Sequence, residues 1–262
     1  MSDNGNTVAN RELSLGQANE FWQKLRQAGA TPEMVQKVVE NPNNIIAKEI
    51  VKTIKTFDFP SLSEAKEIMG TNHFFGPKQW FDFLGWKIKT PQIPWKKSEL
   101  MALRGSYFLF LGIESHGGLI LSTDAWIKLL KDKEFGLSTN DGGNYVHSSF
   151  KTETCKPRWY LMHIGVFPKS KHLYADDMLN LMSDFCECPS LVERYLSNIL
   201  YYVLNDTCLD NDTWACVNNL YRGSKDSILV RYYQSALCIG SYNLLYQKEA
   251  DIGIAASMSL PH

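Results

Sequence analysis

The sequence predicts an α+β protein, with an N-terminal helical region followed by a mixed domain that ends in short antiparallel strands. Three observations predict it. Over the first 70 residues, apolar positions recur at helical spacing between capping signals. Residues 106–113, SYFLFLGI, form a continuous apolar run of strand length, the pattern of a strand buried on both faces. After Asn205 the helical spacing gives way to short β-forming pieces separated by Gly, Ser, Asn and Asp. Helices, then mixed elements, then strands favour α+β over a doubly wound sheet. The expected organisation is a disordered polar tail over 1–12, a helical region over 13–72, and an α+β domain over 73–262 with a strand-rich segment at 206–262.

The elements follow in order. Ser14 to Gln17 reads as a capping box, and Leu15, Ala18, Phe21, Trp22 and Leu25 share one helical face before Gly29 ends the helix. Thr31-Pro32 opens a second helix carrying Met34, Val35, Val38 and Val39, because threonine can cap and proline suits the first turn. A third helix spans about 44–56 on Ile46, Ile50 and Ile54. Ser61 and Glu64 form another capping box, and Gly70 ends the short helix they open. FFGPKQWFDFLGW, from Phe74 to Trp86, is an aromatic segment with a turn and helix entry at Gly76-Pro77. Pro91 and Pro94 mark an extended connector, and a hairpin follows the buried strand through His116-Gly117-Gly118. Thr123-Asp124 opens a short helix, 138–144 reads as a polar loop, and 158–166 is a further strand. Residues 175–185 look helical, and Ser190 with Glu193 caps a helix running to about Leu204. Short strands are expected at 214–218, 228–233, 237–239 and 252–256.

Charge and composition exclude several classes of function. Lys plus Arg number 27 and Asp plus Glu 28, a net charge of -1, which argues against a protein that coats nucleic acid or an anionic membrane. No apolar run is long enough to span a bilayer, and the polar start lacks the order of a secretory signal, so the expected setting is the cytoplasm. The six cysteines form no C-x-x-C pair, and Cys186 and Cys188 have the wrong spacing for a zinc knuckle. They read as reduced thiols packed as small apolar side chains. Neither G-x-x-x-x-G-K-[ST] nor G-x-G-x-x-G is present, and no cofactor is expected.

Two resemblances add to this reading. NEFWQKLRQAGATPEMVQKVVENP, EIMGTNHFFGPKQWFDFLGWK, FKTETCKPRWYLMHIGVFPKSK and ERYLSNILYYVLND together resemble a group of uncharacterised bacterial proteins common in metagenomes and candidate phyla. That resemblance covers nearly the whole chain and implies no activity. The tail, ILVRYYQSALCIGSYNLLYQKEADIGIAAS, is similar in rhythm to the end of C-type-lectin-like domains of the formylglycine-generating-enzyme kind, on which the variable proteins of diversity-generating retroelements are built. The resemblance implies a rigid scaffold displaying Tyr232, Tyr233, Cys238, Tyr242, Asn243, Leu244 and Tyr246. It departs from that pattern at IGIAAS, where such domains more often end in an Arg-containing strand.

The candidate site follows from side-chain chemistry. Tyr221, Tyr232, Tyr233, Tyr242 and Tyr246 cluster near the C-terminus, interleaved with Asn218, Asn219 and Asn243. Tyrosine gives stiff, amphipathic contact area at low entropy cost and asparagine adapts its hydrogen bonding, the pairing that paratopes use. Tyrosines are also ordinary strand formers on a half-buried face. The expected function is non-enzymatic recognition of a protein or other macromolecular ligand through Tyr221, Tyr232, Tyr233, Tyr242, Asn243 and Tyr246. A thiol-dependent hydrolase or transferase centred on Cys155 and His163, oriented by Asp176 or Asp177, is the alternative from another class. It lacks any family-type signature around the cysteine, and His163 sits in an apolar strand. His116, His147 and Glu114 lack metal-ligand spacing, so no metal is expected. Trp86, Lys87, Lys89, Trp95, Lys96 and Lys97, within 86–97, could stack bases and neutralise phosphate, although lysines on a neutral protein more often protect a strand edge.

Overall fold

The computed structural model describes residues 15–40, 45–46, 48–49, 58–133, 138–140, 149–182, 186–211, 213–220, 227–233, 236–242 and 251–258. The chain divides into two units, Met1–Phe57 and Asp58–His262. In the first, α1 (Leu15–Gln27) is followed at Gly29, which has φ +88°, by α2 (Pro32–Val39). The Thr31 hydroxyl accepts from the Met34 amide at 3.3 Å, and Pro32 occupies the first turn, as the Thr-Pro pair predicts. The expected Ser14 cap and Ile50 and Ile54 of the third helix lie outside the described residues.

The second unit is α+β. Its described helices are α3 (Leu62–Met69), α4 (Pro77–Leu84), α5 (Lys97–Leu103), α6 (Thr123–Lys133), α7 (Ala175–Asn180) and α8 (Leu191–Asn205). Its strands are β1 (Phe74–Phe75), β2 (Tyr107–Leu111), β3 (Ser115–His116), β4 (Leu119–Ile120), β5 (Ser138–Asn140), β6 (Trp159–His163), β7 (Cys186–Glu187), β8 (Trp214–Leu220), β9 (Ser227–Tyr233), β10 (Ala236–Tyr242), β11 (Ile252–Ile254) and β12 (Ser257–Met258). One sheet has the order β1-β2-β6-β12-β7, another β11-β8-β9-β10-β5, and β3-β4 is a separate hairpin. The last two strands part company: β11 joins the second sheet and β12, two residues later, the first.

The core forms where these sheets meet α8. All five residues of β2 are buried, as the unbroken apolar run predicts. α8 contacts β2 in one sheet and β8 and β9 in the other, so its first three turns are buried nearly all round. Aromatic packing fills the space beside β2. Trp80 lies edge-on to Phe75 at 5.1 Å and donates its indole N–H to the Leu111 carbonyl at 2.9 Å. Trp159 does the same to the Pro91 carbonyl at 2.9 Å. The backbone just past β2 runs very close to its neighbours. A Cβ at Gly112 would fall 2.5 Å from the Tyr160 ring and 2.8 Å from the Cys155 sulfur, so no larger residue fits there.

Two local readings differ from the structure, and one helix, α5, was not expected. The 138–144 stretch was expected as a polar loop, but 138–140 is a strand pairing in parallel with β10. The connector after Pro94 leads into α5, whose start is capped by Glu99 accepting from the Lys96 amide at 2.6 Å. The C-terminal strands are mixed rather than wholly antiparallel: β9 pairs antiparallel with β8 and β10, while β11 lies parallel to β8. A three-residue strand gains its ladder bonds from whichever edge tertiary packing offers, and composition does not encode which. Among the described residues, no helix is long and apolar enough to cross a membrane.

Candidate functional site

A polar network buried beneath the C-terminal sheet positions the site. Arg194, Ser197 and Asn198 lie at i, i+3 and i+4 on α8, one stripe of an otherwise apolar helix, and all three are buried. Arg194 makes a two-pronged contact with the buried carboxylate of Asp210, its Nε donating at 2.9 Å and its Nη2 closing the pair. Its remaining donors reach the carbonyls of His163 and Gly165, each at 2.8 Å. Asn198 donates to Asp210 at 2.8 Å and accepts from the Asp210 amide at 3.2 Å. The Asp210 carbonyl in turn accepts from the Tyr232 amide at 3.0 Å. Through this chain the helix, the 163–165 turn and strand β9 are held in one register.

Tyr232 is the predicted site residue whose environment is best defined. It faces Leu237 in the β9–β10 ladder, is half-buried against the main core, and lies 5.9 Å ring to ring from Tyr202 of α8. Burial, then the Tyr232 phenol, push the Tyr202 hydroxyl above its ordinary pKa of 10.0. Tyr233 pairs with Ala236 and Tyr242 with Ser227 in the same ladder. Tyr221, Asn243 and Tyr246 lie outside the described residues, as does Leu244.

Tyr202 also borders a groove of about 430 Å³ between α4 and the end of α8. Phe75, Phe83, Val203 and Leu204 supply its apolar surface, and Gln79, Asp82 and Asp206 its polar groups. Each wall is fixed locally. Pro77 opens α4, Gln79 accepts from the Gly76 amide at 3.0 Å, and Gly85 ends the helix in a left-handed conformation at φ +74°. Asp206 ends α8 in the same conformation, and Asn205 donates to the Asn72 carbonyl at 3.0 Å, tying that end to the turn before β1. The groove residues Tyr202, Asp206, Asp82 and Gln79 were not singled out from the sequence as a site. They are brought together from segments more than 100 positions apart. The Arg194 stripe did carry a signal, namely three polar side chains at helical spacing inside an apolar run.

Cys155 and His163 are not brought together. The Cys155 thiol is buried beside Gly112 and Tyr160, and burial, then the Glu193 charge, push its pKa far above the thiol range. His163 lies at the far end of β6 opposite Tyr107, its ring 5.1 Å from that of Tyr107 and 6.0 Å from Phe167. Burial pulls the His163 imidazole below its ordinary 6.5. The strand between them spans about 13 Å. Asp176 and Asp177 sit in the first turn of α7.

The tryptophans of the lysine-tryptophan stretch pack into the fold, while Lys87, Lys89 and Lys96 are exposed. Trp95 is buried, Trp86 stacks on His116 at 4.5 Å, and Lys97 pairs with Glu64 at 2.7 Å. Lys87 and Lys89 border a smaller depression with Glu114 and His116. Glu114 accepts from the Thr154 hydroxyl at 3.3 Å, and His147 lies outside the described residues. Among the described residues, no group of three or more His, Cys, Asp or Glu side chains could hold a metal ion.

No family model, curated protein or solved structure matches this chain. The parts of the site are a rigidly registered strand pair bearing tyrosines and an adjoining apolar groove with two carboxylates.

Proposed function

We propose that the chain is a non-enzymatic recognition protein for a protein or other macromolecular ligand, contacted through tyrosines of the β9–β10 hairpin. The observation that carries this reading is the Tyr202–Tyr232 ring pair, which sets a predicted contact tyrosine beside an open groove. Aromatic side chains next to a concave, partly apolar surface are the usual anchors of recognition. The buried Arg194–Asp210 network favours the same role, because a strand held in one register offers its side chains at low entropic cost. The thiol alternative has less support, since the Cys155 sulfur is buried and remote from His163.

The test is capture and titration. A macromolecule retained from the producing cells by the immobilised chain is purified, and its affinity is measured for the native protein, for Tyr232→Leu, which keeps apolar packing on the core, and for the Tyr233→Ala/Tyr242→Ala double variant. The expected result is an affinity loss of about tenfold or more in Tyr232→Leu, at a melting temperature within a few degrees of the native value. Undiminished affinity in both variants overturns the reading. The finer proposal, a diversified binder, predicts an imperfect copy of the gene's 3′ end beside a reverse transcriptase, differing from it mainly at adenines.

A further inference from the structure

Building on the recognition reading, we infer that the groove between α4 and the end of α8 takes a basic, amphipathic peptide segment. One apolar side chain of the peptide packs against Phe83 and Leu204, and an arginine or lysine faces Asp206 and Asp82.

Charge decides the class of occupant. The groove carries two carboxylates and no lysine or arginine. Asp82 is partly balanced from outside by Lys78, one helical turn away at 2.5 Å, an exposed pair of the weak i,i+4 kind. Asp206 has no ion-pair partner among the described residues, and it stands at the C-terminal end of the 15-residue α8, where the helix dipole adds further negative potential. Tyr202 also lines the groove, and an aromatic ring there can take a cation against it. An anionic occupant, nucleic acid included, meets repulsion from both carboxylates and from the helix end. A purely apolar occupant strips water from two carboxylates and returns nothing to them.

Shape and hydrogen bonding favour a peptide over a small cation. The same groove is lined by the apolar Phe75, Phe83 and Leu204 and by the carboxylates of Asp82 and Asp206, so an occupant must combine both chemistries. Gln79 spends its carbonyl oxygen on the Gly76 amide, which leaves its NH₂ to donate to a peptide carbonyl.

The experiment uses the full chain labelled with ¹⁵N. It is titrated with two capped pentapeptides, Leu-Arg-Phe-Arg-Leu and its counterpart with glutamate for arginine. The basic peptide is expected to shift the amides of 79–83 and 202–206 saturably, with an affinity that falls several-fold as salt rises, and the acidic peptide to leave them unmoved. Asp206→Asn should weaken the basic peptide by about fivefold or more while keeping the fold, because asparagine tolerates the left-handed conformation at that position. Asp82→Asn provides a second reading at a site with no backbone constraint. Equal response to both peptides, shifts confined to other residues, or full affinity in both variants overturns the inference. So does preference for a single-stranded oligonucleotide. A silent groove combined with partner loss in the Tyr233→Ala/Tyr242→Ala variant would remove the groove assignment and leave the recognition reading standing.

Discussion

Asp210 is buried, and its charge is balanced by a single guanidinium with help from Asn198. Taking two charges out of water is costly, so the worth of the pair lies in what happens when one partner is lost. Asp210→Asn leaves the Arg194 charge buried without a counter-ion and is expected to destabilise the protein by about 3–5 kcal/mol. For a unit of this size that lowers the melting temperature by roughly 6–20 °C, read by calorimetry. Replacing both partners, Arg194→Met with Asp210→Leu, should recover at least half of the loss, since the orphan charge is then gone. Full recovery is not expected, because Asn198 and the His163 and Gly165 carbonyls lose their partner. If Asp210→Asn melts with the native protein, the network does not hold the sheet. Sequence reading could see the polar stripe on α8, yet not its partner. Asp210 stands among Asp206, Asn211 and Asp212, any of which could have met an arginine.

At the scale of single elements, local chemistry was most legible. The Ser61–Glu64 capping box is fully formed, with the Ser61 hydroxyl accepting from the Glu64 amide at 3.3 Å and Glu64 accepting from the Ser61 amide at 2.8 Å. At α8 the Ser190 amide donates to Glu193 at 2.9 Å. Such contacts span three residues, so the sequence holds both partners. Glu64 also shows where this legibility stops, because it accepts from Lys97, 33 positions away, at 2.7 Å. The Lys97 ammonium, then the Ser61 amide and hydroxyl, lower the Glu64 pKa from 4.5 to about 2. With the folded value below the unfolded one, the contribution of Glu64 is complete above about pH 4.5 and is lost as pH falls through about 2. Glu64→Gln keeps an oxygen for the cap and removes the charge. The native protein should therefore melt above the variant at pH 7, by a margin that closes between pH 4.5 and 2 in a calorimetric pH series. A margin independent of pH would show that the carboxylate charge is idle there.

Across the whole molecule, the division of the chain gives a test of folding autonomy. A fragment of residues 58–262 contains both sheets and α3 to α8, and it is expected to give one cooperative thermal transition and a dispersed amide spectrum. A fragment starting at 73, where the composition turns aromatic, lacks α3. It leaves the space of the buried Ala65 and Met69 empty and removes the Glu64 partner of Lys97. It should be less stable than the longer fragment by at least about 2 kcal/mol, measured by denaturant titration. Equal stability of the two would mean that α3 is dispensable to the core. By itself, the sequence determined the α+β class, the buried strand at 107–111, the caps of α2 and α3 and the course of α8. These rest on periodicity and on contacts a few residues apart. Only the tertiary structure decided that β11 and β12 join different sheets, that Cys155 and His163 stand apart, and that Tyr202, Asp206 and Asp82 border one groove. The physical reason is the same in each case. Strand edges and helix ends are satisfied by whatever the folded chain brings beside them, and that choice depends on contacts made across most of the sequence at once.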